Sequence, residues 1–225
     1  MKRTRRKKTT RAKPAPPPPP EGYSAKTRAQ AHALDVIGRS TISFVLGPAG
    51  TGKTHLASGY AVQAVIDGRA EQIVITRPSV ATEQLGFLPG SAEEKVGPYL
   101  VPFFDAVDRI AGKRGQHREK IASCIKVAPL AYLRGRTFHN SVMVFDEAQN
   151  ATFGQLKLFL TRIGSGSQVI VTGDADQSDL PPWERRLVDV MQRLSGIKGV
   201  GVVEFKASDI VRNPIIEGVL RELER

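Results

Sequence analysis

The chain has 225 residues, 40% of them hydrophobic, and a formal net charge of +11 at pH 7. It is long enough to bury the core of one large domain. Its lone cysteine, Cys124, excludes an intrachain disulfide, and no apolar run reaches the ~20 residues that span a bilayer.

Residues 1–13 hold eight positive charges and no acid, and Pro14 to Pro20 is nearly all proline. Like charges repel and proline runs favour an extended, solvated backbone, so residues 1–22 are predicted to be a disordered arm and 23–225 the folded domain. Such an arm is either a solubilising extension or a salt-sensitive anchor for nucleic acid. A basic start followed by prolines rather than an apolar stretch is not a secretion signal. With the unpaired cysteine, it leads to an expected cytoplasmic location without membrane association.

Beyond the arm, apolar runs alternate with longer amphipathic ones. Residues 25–38 read as a helix, Ile42–Leu46 as a strand, Lys53–Asp67 as a helix and Gln72–Thr76 as a strand. A Gly/Pro-rich turn at 86–90 precedes a mostly helical stretch at 91–110. Short apolar runs predict strands at 125–128, 142–145, 168–172 and 200–205, with helices at 153–163, 183–194 and 215–223. Strands apolar on both faces and separated by helices predict an α/β fold, a parallel sheet covered on both sides. Ligands in such sheets bind past the C-terminal strand ends.

Three polar motifs fall at those ends. The first, Gly47-Pro48-Ala49-Gly50-Thr51-Gly52-Lys53-Thr54, fits the phosphate-loop pattern and lies between a strand and a helix, the context that gives the pattern physical meaning. Its glycines let backbone N–H groups face an anion, and the helix N-terminus adds partial positive charge. Lys53 is expected on the β- and γ-phosphates, the Thr54 hydroxyl on Mg²⁺, and His55 beside the nucleotide. The second motif delivers Asp146 and Glu147 from an apolar strand; Asp146 is expected in the Mg²⁺ shell and Glu147 as the group that orients or deprotonates attacking water. Alternatively, the two acids simply cap the helix that follows. The third places Gln177 just past Gly173-Asp174, where an amide can register the γ-phosphate.

These residues, with the blocks ITRPSVATEQLGFLPG, PLAYLRGRTF and DIVRNPII, resemble the PhoH family of P-loop ATPases, which is related to the superfamily-one helicase core. The resemblance threads nearly all of residues 25–225 and implies a P-loop NTPase with a single RecA-like sheet. It implies that Gln30 reads adenine, that Arg212 is an arginine finger, and that Arg77 is a second finger or phosphate contact. It also implies ATP and Mg²⁺ as ligands and a homo-oligomer, a hexameric ring. Only 48 residues follow Gln177, too few for a second motor domain, so a neighbouring subunit is expected to complete each site. Arg134 and Arg136, with Tyr132 and Phe138, form a basic turn suited to RNA or single-stranded DNA, unless the two aromatics belong to the core. The expected function is ATP hydrolysis coupled to nucleic acid, with helicase action as one form of it. The rival readings are a P-loop kinase or phosphotransferase, and a nucleic-acid-binding protein with a decayed ATPase fold.

Overall fold

The computed structural model describes residues 25–78, 92–112 and 116–211. The expected arm at 1–22, the turn at 86–90, Arg212 and the expected helix at 215–223 lie outside the described residues.

The chain opens with helix α1 (Arg28–Arg39), capped by Thr27, whose hydroxyl accepts from the Gln30 N–H. Strand β1 (Ile42–Leu46) leads through the phosphate loop into α2 (Lys53–Ile66). Strand β2 (Gln72–Thr76) follows, then α3 (Ala92–Ala111), α4 (Gln116–Ser123) and the short β3 (Ile125–Val127). Strand β4 (Ser141–Phe145), α5 (Phe153–Leu160), β5 (Gln168–Gly173), α6 (Leu187–Leu194) and β6 (Val200–Glu204) complete the described elements.

The six strands form one sheet in the order β3-β2-β4-β5-β1-β6, and every pairing is parallel. Alternate residues of each strand therefore feed two core layers. Val45, Ile73, Ile75, Val142, Val144 and Ile170 pack with α1, α2, α3 and α4. Phe44, Val74, Met143, Phe145, Val169 and Val171 pack with α5, α6 and a 3-10 turn at Leu130–Leu133. Phe145 stacks on Phe159 of α5 with ring centroids 4.6 Å apart. Helix α2 is buried on most sides, and its small residues Ala57, Ser58, Gly59, Ala61 and Ala64 allow that close approach. No helix among the described residues is long and apolar enough to cross a membrane.

Two expected helices are shorter than their apolar patterns. The stretch predicted as one helix over 183–194 is a 3-10 turn at Pro182–Glu184 followed by a helix only from Leu187. The Arg185 side chain folds back to donate to the carbonyls of Leu180 (2.8 Å) and Ser178 (3.1 Å), which holds that turn outside the helix. Helix α5 ends at Leu160 because the Thr161 hydroxyl donates to the Lys157 carbonyl at 2.8 Å and Ile163 pairs with Phe138 in a short bridge.

One buried polar atom sits badly. The Ser43 hydroxyl, on the α2 side of β1, has no hydrogen-bond partner among the described residues. An unpaired buried hydroxyl costs about 1–3 kcal/mol. Ser43→Ala removes it with almost no loss of volume, so the variant is expected to gain about 1 kcal/mol of stability. Urea denaturation at constant m-value measures this directly.

Candidate nucleotide and metal site

Register sets the site. Leu46 pairs with Gly173 and Thr76 with Phe145, so β1, β2, β4 and β5 end at one edge of the sheet. Because β5 lies between β1 and β4, the tip at Asp174 sits between the phosphate loop and the two acids. Lys53, Thr54, His55, Asp146, Glu147 and Gln177 line one open pocket of about 300 Å³ together with loop residues Ala49, Gly50 and Gly52. The structure therefore gathers most of the residues expected from the three motifs.

The loop has the backbone its sequence demands. Gly47, Gly50 and Gly52 have φ of 136°, 87° and 90°, which side chains rarely tolerate. At Gly47 a Cβ would also lie 2.5 Å from the Phe205 carbonyl oxygen, so the end of β6 closes directly over the loop. The Thr51 hydroxyl donates to the Pro48 carbonyl at 2.9 Å, tightening the turn. Gly52 is the N-cap of α2 and offers no side-chain cap, which leaves the first N–H groups of the helix for an anion. The Lys53 ammonium donates to the carbonyls of Gly47 (2.6 Å) and Pro48 (2.8 Å), at the mouth of that cradle.

Asp146 is buried and its Oδ1 accepts from the hydroxyls of Thr54 (2.9 Å) and Thr172 (2.5 Å). A carboxylate and a hydroxyl in contact are hard oxygen donors, and two such protein ligands with the balance from phosphate and water suit Mg²⁺. The residues fit the ion. When bound, Mg²⁺ would neutralise charge on the β- and γ-phosphates.

Glu147 adopts a left-handed backbone, φ 54°, unusual for this residue type. Two donors fix its carboxylate: Arg77 Nη2 reaches Oε1 at 2.8 Å and Gln149 Nε2 reaches Oε2 at 2.6 Å. Arg77 also lies 3.9 Å from Asp146 Oδ2. The reading of the acids as a helix cap fails, because Thr152 and Gln155 form a reciprocal capping box at the start of α5. Asp146 and Glu147 are left for the pocket.

The motifs did not single out Gln149 and Asp174 as site residues. Gln149 is buried; while its amide nitrogen holds Glu147, its Oε1 accepts from the Asp174 N–H at 3.0 Å. The Asp174 carboxylate in turn accepts from the Ala49 N–H of the phosphate loop at 3.1 Å. A chain of hydrogen bonds thus runs from the loop to Glu147 across two strand tips. Gly173 is required beneath it, since a Cβ there would meet Leu187 Cδ2 at 2.8 Å and Gln149 Oε1 at 3.0 Å.

Gln30 is buried against the loop. Its Nε2 donates to the Thr51 carbonyl at 3.0 Å and its Oε1 accepts from the Lys26 N–H at 2.8 Å. It lines a second pocket of about 220 Å³ with Lys26, Gly50, His55, Arg109 and Val211. Burial, then the nearby charges of Arg109 and Lys26, lower the His55 pKa; Asp105 opposes them. The imidazole is therefore neutral at pH 7. Val211 donates its N–H to the Gly50 carbonyl at 3.0 Å, and Arg212 comes next in the chain, outside the described residues. Of the two aromatics in the basic turn, Phe138 belongs to the core, with the Arg136 guanidinium 5.0 Å above its ring, whereas Tyr132 is exposed.

Known proteins share both sequence and architecture with this chain. A "PhoH-like protein" of Bacillus subtilis (strain 168) is 43% identical over 202 residues, 89% of this chain and 63% of that protein. "Protein PhoH" of Escherichia coli (strain K12) is 41% identical over 201 residues, 87% of this chain and 56% of that protein. The chain thus spans a little under two thirds of the first relative's length. In architecture it is similar to the large terminase from a thermophilic bacteriophage, with a TM-score of 0.59 at 15% identity over 89% of this chain and 50% of that one. That likeness shows a shared arrangement of sheet and helices. The PhoH-like protein profile matches residues 23–224, and with identity above 40% across most of its length the chain belongs to the PhoH-like protein family.

Proposed function

We propose that this chain hydrolyses ATP with Mg²⁺ and couples the reaction to RNA or single-stranded DNA. The observation that carries the first half is convergence: Lys53, Thr54, Asp146, Glu147 and Gln177 face one pocket from three strand tips. The phosphate loop and Lys53 bind and orient the triphosphate. Glu147 accepts a proton from water at the γ-phosphate, its carboxylate aimed by Arg77 and Gln149. Gln177, exposed at the rim, contacts the γ-phosphate. Each end of the Gln30 amide keeps one further hydrogen-bonding position, which supports a weak preference for adenine through its N6/N7 edge.

Nucleic-acid coupling is supported by the exposed basic turn at Arg134 and Arg136 and by the eight positive charges of residues 1–13. Arg77 is engaged by the acids of its own chain, which leaves Arg212 as the finger that acts across subunits of a homo-oligomeric, hexameric ring. The lone cysteine agrees with a reducing, cytoplasmic setting.

The test is release of labelled phosphate from ATP, with and without oligonucleotides. Release to water that rises when single-stranded RNA or DNA is added is the expected result. Transfer to another acceptor would point to a phosphotransferase, and turnover indifferent to every nucleic acid would remove the coupling.

A further inference from the structure

The turns that follow β3, β4 and β5 carry aromatic side chains that the nucleotide pocket does not use. Tyr132 is 69% exposed, Phe153 45% and Trp183 71%. A single exposed ring is ordinary; several grouped on one side mark a contact surface. All three segments are rooted in one core layer, through Leu130 and Leu133, Leu156 and Phe159, and Leu187. The sheet order β3-β2-β4-β5 therefore arranges them in sequence along one end of that layer.

Local contacts keep them together. The Leu130–Leu133 turn packs on α5, whose first residue is Phe153. Asn150 and Asp179 exchange two hydrogen bonds, Asn150 Nδ2 to Asp179 Oδ2 at 2.9 Å and Asp179 N to Asn150 Oδ1 at 2.8 Å. That clasp ties the segment before Phe153 to the segment before Trp183. The Ser178 hydroxyl adds a bond to the Gln149 carbonyl at 2.8 Å.

The charge around the rings is predominantly positive. Arg134, Arg136, Lys157, Arg185 and Arg186 are exposed in these segments, against Asp176, Glu184 and the clasped Asp179. A second copy of this chain meeting the row face to face would set like charges against each other. A polyanion whose repeating units present flat π-faces matches both properties.

We infer that Tyr132, Phe153 and Trp183 form a stacking track for single-stranded nucleic acid, with the surrounding arginines on its phosphates. The inference rests on the coupling proposed above and adds its location. Trp183 is the only tryptophan of the chain, so its emission reports this place alone. Full-length protein is titrated with end-labelled oligo-uridine and oligo-thymidine while tryptophan emission and label anisotropy are followed together. The expected result is saturable quenching with the midpoint of the anisotropy change. Trp183→Ala is expected to weaken affinity about tenfold, and Arg186→Ala to lower the slope of log affinity against log salt by about 0.7. Anisotropy that rises with unchanged emission overturns the track while leaving the coupling in place. Emission that responds to protein dilution and not to oligonucleotide assigns the row to a contact between copies, and also overturns it. No anisotropy change in either titration removes track and coupling together.

Discussion

Under the proposed mechanism, Glu147→Gln is expected to lower ATP turnover by about 10³-fold, within the range that general-base removal produces, and to leave nucleotide binding nearly intact. The side chain keeps its size, so the left-handed backbone at this position and the packing around it are preserved. What changes is basicity. An amide cannot take the proton of the attacking water, and its NH2 end must face one of two donors, Arg77 or the Gln149 amide nitrogen, so one of those two bonds is lost. Lys53, Thr54 and the loop N–H groups are untouched, so affinity for the triphosphate persists. Pre-steady-state phosphate release and equilibrium binding of a labelled nucleotide separate the two effects. Unchanged turnover would mean that water is activated elsewhere; loss of binding as well would mean that Glu147 supports the loop. Retained binding with lost turnover also excludes the reading of the chain as a decayed ATPase.

The second large effect belongs to Arg212. Removing an arginine finger costs about 10³-fold or more in turnover, because a guanidinium near the γ-phosphate stabilises charge spread over its outer oxygens. Arg212→Ala is expected to behave so. Neither this variant nor Glu147→Gln is expected to be active by itself, yet a site shared between subunits would make the mixture active. A subunit with an intact base then receives the finger of a neighbour that lacks one. With random assembly of equal amounts, about a quarter of the interfaces regain both groups. Steady-state turnover of the mixture, against each variant by itself, reads this out. Absence of recovery would assign the guanidinium to the loop of its own chain, where the Gly50 carbonyl already receives the Val211 N–H.

The sheet was legible in the sequence because its strands are short, apolar on both faces and bounded by glycine, proline or charge. Strands β1 and β2 have the bounds their composition predicts. The phosphate loop was legible for a different reason: its chemistry is local, set by the spacing of glycines ahead of Lys53 and Thr54. Helix α4 and the 3-10 turn at Leu130–Leu133 were missed, being short and, for α4, polar without an apolar period. The expected helix from Trp183 followed an apolar pattern that the Arg185 side chain interrupts through carbonyls five and seven residues back. Gln149 and Asp174 were the chief omissions at the site. They stand 25 residues apart, and only the placement of β5 beside β4 brings them together. No spacing rule along a single chain encodes such a pairing. Phe138 and Tyr132 looked alike as sequence, and packing alone separates the buried ring from the exposed one.

The Gln149 side chain has a direction. Its nitrogen end meets a carboxylate and its oxygen end meets a backbone N–H, at 2.6 Å and 3.0 Å. Rotating the amide by half a turn would press oxygen on oxygen and N–H on N–H, so this group has one stable orientation. A carboxylic side chain of the same length would repel its neighbour, and a hydrocarbon would leave both ends dry and unsatisfied. Asparagine has the right polarity and is one methylene too short to span the gap. Position 149 thus admits a single residue type for reasons of reach and polarity together, although it does not line the pocket.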